Sequence, residues 1–188
     1  MLMKRWLALP LAAAALITSG CQLLAPSDDI YEIGAARIGD DVHIFAPMCE
    51  SERIASVEVY DNQAAGKEPN YDPSTMRFTY WKAQDPNNES AARGEIVVGD
   101  DGAYRTVVVP AGSKVGFPKI VGVTFRINDP VAGHKVGSAF NIDSVPEYPA
   151  GSDPKSVKYG YNLGSKKETR LTSSEIQKKS KCASAYAA

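Results

Sequence analysis

The side chains best suited to nucleophilic, acid–base or metal chemistry are few. The chain has three cysteines, Cys21, Cys49 and Cys182, and two histidines, His43 and His134. Zinc needs closely spaced ligands, and no C-x-x-C or H-E-x-x-H is present. A nucleophile elbow G-x-S-x-G and a phosphate-binding glycine loop are also missing. Triads assemble in space, but two histidines leave few ways to build one. His43, between Val42 and Ile44, reads as a strand residue, and His134 in PVAGHKVG reads as a turn residue. No catalytic residue is expected.

Carboxylates are the next source of chemistry. Asp28–Asp29, Asp40–Asp41, Asp100–Asp101 and the stretch DPNNE, 85–89, carry clustered oxygens. Calcium takes about six to eight oxygens, usually from one crowded loop. None of these stretches has the D-x-[DN]-x-[DN]-G pattern, so solvated, turn-forming Asp is expected, with no metal and no cofactor. Aromatics offer a different chemistry, stacking. Tyr159 and Tyr161 flank Gly160 and share one side of a strand. With Tyr148 they are the candidate ligand-stacking residues, for a sugar ring or a partner's apolar surface. The alternative is that they cover the core with their rings and keep their hydroxyls wet. Tyr80 and Trp81 are neighbours that face opposite ways, so one of them belongs to the core.

Cys21 belongs to a different context. Lys4 and Arg5 precede an apolar run, Trp6 to Ile17, which ends in Thr18, Ser19 and Gly20. A membrane span needs about 20 apolar residues, so this run reads as a secretory signal. The stretch ITSGC resembles the lipobox of bacterial lipoproteins. Gly20 and Cys21 match that motif, and Thr18 stands where Leu is commoner. The resemblance implies that Cys21 receives a diacylglyceryl group and becomes the mature N-terminus. The stretch CESERIASVEVYD resembles small envelope lipoproteins of actinobacteria, which implies no activity.

With Cys21 lipidated, Cys49 and Cys182 remain, in a compartment where a bridge persists. A Cys49–Cys182 disulfide is therefore expected.

These residues need a scaffold, and the chain after Cys21 has enough apolar content for one domain. Expected boundaries are a signal peptide at 1–20, a lipidated tether at 21–29, a domain at 30–182 and a tail at 183–188. RIASVEVY and VGVTFRI alternate apolar and polar residues, the mark of half-buried antiparallel strands. Further strands are expected at 35–38, 42–46, 76–82, 95–98, 104–109, 138–142 and 158–162. IGDDVHIF and VGDDGAY place Gly-Asp-Asp between apolar runs, a hairpin signal. The pattern predicts an all-β immunoglobulin- or fibronectin-III-like antiparallel sandwich of seven to nine strands with a short C-terminal helix. That helix is signalled over 173–181 by Thr172 and Glu175, a capping box. Leu171 and Ile176 sit at the staple positions around it.

Charge is divided along the chain. Residues 22–154 hold 11 Lys and Arg against 20 Asp and Glu, while residues 155–188 hold 8 against 2. The basic segment, 155–182, either packs on the acidic body or faces an anionic lipid or wall polymer, and packing is the favoured expectation. Nucleic acid fits an exported acidic protein poorly. The expected function is a membrane-anchored extracytoplasmic lipoprotein of the cell envelope, a non-enzymatic interaction module. Its expected partners are the membrane, through the diacylglyceryl cysteine, and an envelope protein or cell-wall polymer. The alternatives are a carbohydrate- or peptidoglycan-binding lipoprotein and a cell-wall hydrolase.

Overall fold

The computed structural model describes residues 31–128 and 134–182. The expected signal peptide at 1–20, the expected lipidated tether at 21–29 with Cys21 and the Asp28–Asp29 pair, and the expected tail at 183–188 lie outside the described residues. Within them no helix is long and apolar enough to cross a membrane.

Two mostly antiparallel sheets form a β-sandwich. Sheet 1 contains β1 (Gly34–Ile38), β2 (Asp41–Phe45), β5 (Glu95–Val97), β9 (Glu147–Tyr148), β10 (Tyr159–Tyr161) and β11 (Thr169–Leu171). Its order is β11-β10-β1-β2-β5, and β9 pairs in parallel with the far end of β1. Sheet 2 contains β3 (Arg53–Asp61), β4 (Thr79–Pro86), β6 (Tyr104–Val109), β7 (Ile120–Asn128) and β8 (His134–Asn141), in the order β6-β4-β3-β7-β8.

Period-two alternation explains how the sheets pack. In β3 and β7, Val57, Val59, Val121, Val123, Phe125 and Ile127 turn inward, and each is fully buried. They meet Ala35, Val42, Ile44 and Ile96 of sheet 1 in one cluster. Sheet 1 is unusual in burying its other face as well. Ala36, Ile38, Phe45, Tyr159 and Tyr161 form a second cluster there, covered by Ile176 of helix α3 (Ser173–Lys179). A sheet with two apolar faces needs cover on both, and the C-terminal helix supplies the second.

The α3 capping box is formed. Glu175 N–H donates to Thr172 Oγ1 at 3.3 Å, and Thr172 N–H donates to the Glu175 carboxylate at 2.7 Å. The Thr172 N–H, followed by its hydroxyl, donates to the Glu175 carboxylate and holds it below the usual carboxylate range. Cys49 and Cys182 are joined across a separation of 133 residues, with Cα atoms 5.2 Å apart. The expected bridge is therefore present.

Several expectations shift. Among the described residues there are eleven strands where seven to nine were expected, because β9 and β11 are short segments without an alternating apolar signal. Two further short helices appear, α1 (Asn62–Lys67) and α2 (Glu89–Ala92). The strand expected at 76–82 begins at Thr79, because Met76 takes a left-handed conformation after a 3-10 turn at 73–75. The first Gly-Asp-Asp does close the β1–β2 hairpin. The second, 99–101, does not make a hairpin. It carries the chain from β5 in sheet 1 to β6 in sheet 2, since β5 pairs β2 and β6 pairs β4.

Candidate functional site

The most chemically varied cavity lies along the free edge of β5 and has a volume of about 180 Å³. Its floor is apolar, made by Ile44, Ile96, Ala91 and Ala103, and by the ring of Tyr104. His43, Ser90, Glu95, Asp100 and Tyr159 add the polar and aromatic lining. The local sequence explains the placement. Asn88 caps α2 by accepting the Ala91 N–H at 2.8 Å. Gly94, at φ +94°, then turns the chain into β5. The DPNNE stretch is thus a turn and cap: Asn87 Nδ2 also donates to the Gly102 carbonyl at 2.6 Å. Asp101 has a structural task, accepting the Trp81 indole N–H at 2.9 Å. Trp81 is the core member of the Tyr80–Trp81 pair.

His43 is half-buried on the outer face of sheet 1, opposite Ala36. Burial lowers its pKa, and the nearby Asp41 charge partly offsets this. The cavity therefore meets a neutral imidazole at neutral pH. Glu95 and Asp100 stand exposed at the mouth. The residue types of an acyl-transfer site, Ser, His and Asp or Glu, line one cavity. Among the described residues no hydrogen bond joins His43 to Ser90, Glu95 or Asp100, which is the geometry that nucleophilic catalysis relies on. His134 is elsewhere: it opens β8, paired with Ile127, at the far edge of sheet 2. It is a strand residue, where a turn residue was expected. No group of three or more His, Cys, Asp or Glu among the described residues could hold a metal ion.

Tyr104 was not signalled by the sequence. It is 5 % exposed and packs edge-on against Trp81 at 5.4 Å. Its hydroxyl is buried without a hydrogen-bond partner. Burial, then the Asp100 charge, push its pKa far up, so the phenol stays protonated. An unsatisfied buried hydroxyl costs about 1–3 kcal/mol. Tyr104→Phe should therefore keep or raise stability by about 1 kcal/mol in urea unfolding. A loss above that would show that the hydroxyl has a partner in solution.

The stacking residues need correction. Tyr159 is 4 % exposed and Tyr161 is fully buried. They do share one face, but α3 covers it. Tyr159 tilts against Phe45 at 6.2 Å, and its hydroxyl donates to the Pro154 carbonyl at 3.1 Å. Burial, followed by the Glu95 and Asp153 charges, pushes its pKa up to about 12. Tyr148 is half-buried, and its hydroxyl donates to the Lys158 carbonyl at 2.8 Å. The three rings hold the C-terminal segment onto sheet 1 and present no open platform. Only the edge of Tyr159 reaches the β5 cavity.

The two cysteines anchor a second neighbourhood. The loop from Ala46 to Glu52 is gripped from several sides. Gln177 Nε2 donates to the Met48 carbonyl at 2.9 Å, and Arg93 donates to the Cys49 carbonyl at 2.9 Å. Cys49 N–H donates to the buried Glu52 carboxylate at 2.9 Å. A broad open groove runs beside this loop, lined by both charge signs in Glu50, Arg93, Glu95 and Lys155. Both cysteines are consumed in the bridge, so neither offers a thiol.

Comparison with protein-family models, with curated proteins and with solved structures gives no match for this chain.

Proposed function

We propose that the chain is a lipid-anchored extracytoplasmic protein of a bacterial envelope that works by contact and without catalysis. The observation that carries this reading is the pairing of Cys49 with Cys182. It leaves Cys21 as the odd cysteine, at the small-residue end of an apolar N-terminal run. A bridge that closes so long a loop also fits an oxidising compartment. The sandwich is read as immunoglobulin- or fibronectin-III-like in kind, supported by two antiparallel sheets packed face to face. It departs from that pattern in its parallel β9 and in a bridge that ties a loop to a terminal helix.

The alternatives have less support. A wall-polymer module would draw on stacking aromatics, and Tyr159 and Tyr161 are in the core. A hydrolase would draw on the β5 cavity, where His43 has no hydrogen-bonded nucleophile among the described residues.

Intact-mass measurement of native protein tests the reading. The expected chain begins at Cys21 and carries added acyl mass, and Cys21→Ser shifts the protein from the membrane to the soluble fraction or blocks processing. A mature chain that starts elsewhere and carries no lipid refutes it.

A further inference from the structure

The basic segment packs on the body through apolar side chains, yet its Lys and Arg make no salt bridge among the described residues. Val157, Tyr159, Tyr161 and Ile176 are buried in the second cluster. Lys158, Lys166, Lys167, Arg170, Lys178 and Lys181 are exposed. None of them forms a salt bridge among the described residues. Of the eleven Lys and Arg in residues 22–154, by contrast, six form one: Arg37, Arg53, Arg77, Lys82, Arg93 and Lys119. The segment's own two carboxylates are engaged locally, Glu175 in the α3 cap and Glu168 with the Gly164 N–H. Packing and charge pairing are thus separate here: the segment docks without neutralising itself.

The described chain also begins beside this surface. The Tyr161 hydroxyl donates to the Glu32 carboxylate and lies 3.4 Å from Ser180 Oγ. The Lys179 ammonium sits 5.3 Å over the same ring. Residues 22–30 separate Cys21 from this point and span at most about 30 Å when fully extended.

We propose that the β10–β11–α3 unit is a membrane-docking surface for anionic lipid headgroups. This rests on the lipid-anchored reading for its reach. A lipid on Cys21 keeps the unit within tether length of the bilayer, so the membrane is the polyanion it meets first. Multiple acyl chains suffice for attachment, and the basic surface sets orientation.

The test uses the mature chain from residue 21 with Cys21→Ser, so that no lipid contributes. Co-sedimentation compares phosphatidylcholine vesicles with vesicles holding about 30 % phosphatidylglycerol, at about 0.1 M and about 0.5 M salt. The expected result is binding to the anionic vesicles alone, lost at high salt. Each lysine near the surface contributes about 1 kcal/mol, which is roughly a fivefold change in partition. Lys166→Ala with Lys178→Ala should thus weaken binding about 25-fold, while Lys114→Ala, outside the unit, should change nothing. Equal binding to both vesicles, or none to either, overturns the proposal. So does binding to soluble polyphosphate without binding to vesicles, which would make a polymer the ligand. Missing acyl mass on native protein, with vesicle binding intact, refutes the anchor and leaves the surface standing.

Discussion

Gly94→Ala should destabilise the protein by about 3 kcal/mol or more, combining backbone strain with a lost buried hydrogen bond. An added Cβ would lie 1.9 Å from the Ala46 carbonyl oxygen and 2.9 Å from its carbon. Both are backbone atoms, so no rotamer change can relieve the contact. The φ of +94° also disfavours any side chain. The obstructed approach carries the hydrogen bond from Ala46 N–H to the Gly94 carbonyl, at 2.9 Å. Ala46 is fully buried and starts the loop that holds Cys49. Substitution should therefore separate α2 and β5 from that loop and widen the β5 cavity. For a domain of this size, 1 kcal/mol shifts the Tm by about 2–4 °C, so a fall of roughly 6–12 °C is expected. Gly116→Ala is the control, since nothing lies within 4 Å of its added Cβ. That variant should stay within about 1 kcal/mol of the parent. A Gly94→Ala melting point within about 2 °C of the parent would contradict the close approach.

Loss of the bridge should cost about 2–4 kcal/mol, the usual range for a native disulfide. Chain entropy alone gives about 4–5 kcal/mol for so long a loop, and measured values often fall short. The structure says which part loosens first. Helix α3 has seven residues and one buried side chain, Ile176, too little to persist alone. Ile176 packs so closely on Gly34 that an added Cβ there would meet Cδ1 at 2.5 Å. Once the bridge opens, α3 keeps that contact and the Gln177–Met48 bond but loses its covalent hold. Amides of 173–180 should then exchange faster on reduction, while those of β3 and β7 stay protected. The strands survive because neither cysteine belongs to the cluster between the sheets. Non-reducing peptide mapping should join Cys49 to Cys182. Two fast-reacting thiols in freshly isolated protein would refute the bridge and reopen Cys49 as a nucleophile.

Much of this protein was legible in its sequence, for reasons that are local. Alternation in RIASVEVY and VGVTFRI located β3 and β7, because period two is a property of one strand. Thr172, Glu175, Leu171 and Ile176 located α3, because a cap is made within one turn of helix. The cysteine count indicated one bridge once Cys21 was set aside. Three things required the assembled molecule. VGDDGAY and IGDDVHIF look alike, yet one closes a hairpin and the other changes sheets, since pairing depends on distant strands. Tyr159 and Tyr161 share a face as their spacing requires, but only the return of α3 over sheet 1 decides that the face is dry. The cavity that joins His43 to Ser90, Glu95, Asp100 and Tyr104 brings β2 against the consecutive α2, β5 and β6, and takes Tyr159 from far along the chain. Local patterns set strand, turn and cap because their energies come from neighbours in sequence. Burial, partner strands and convergence at a site come from contacts between distant segments, which only the folded chain brings together.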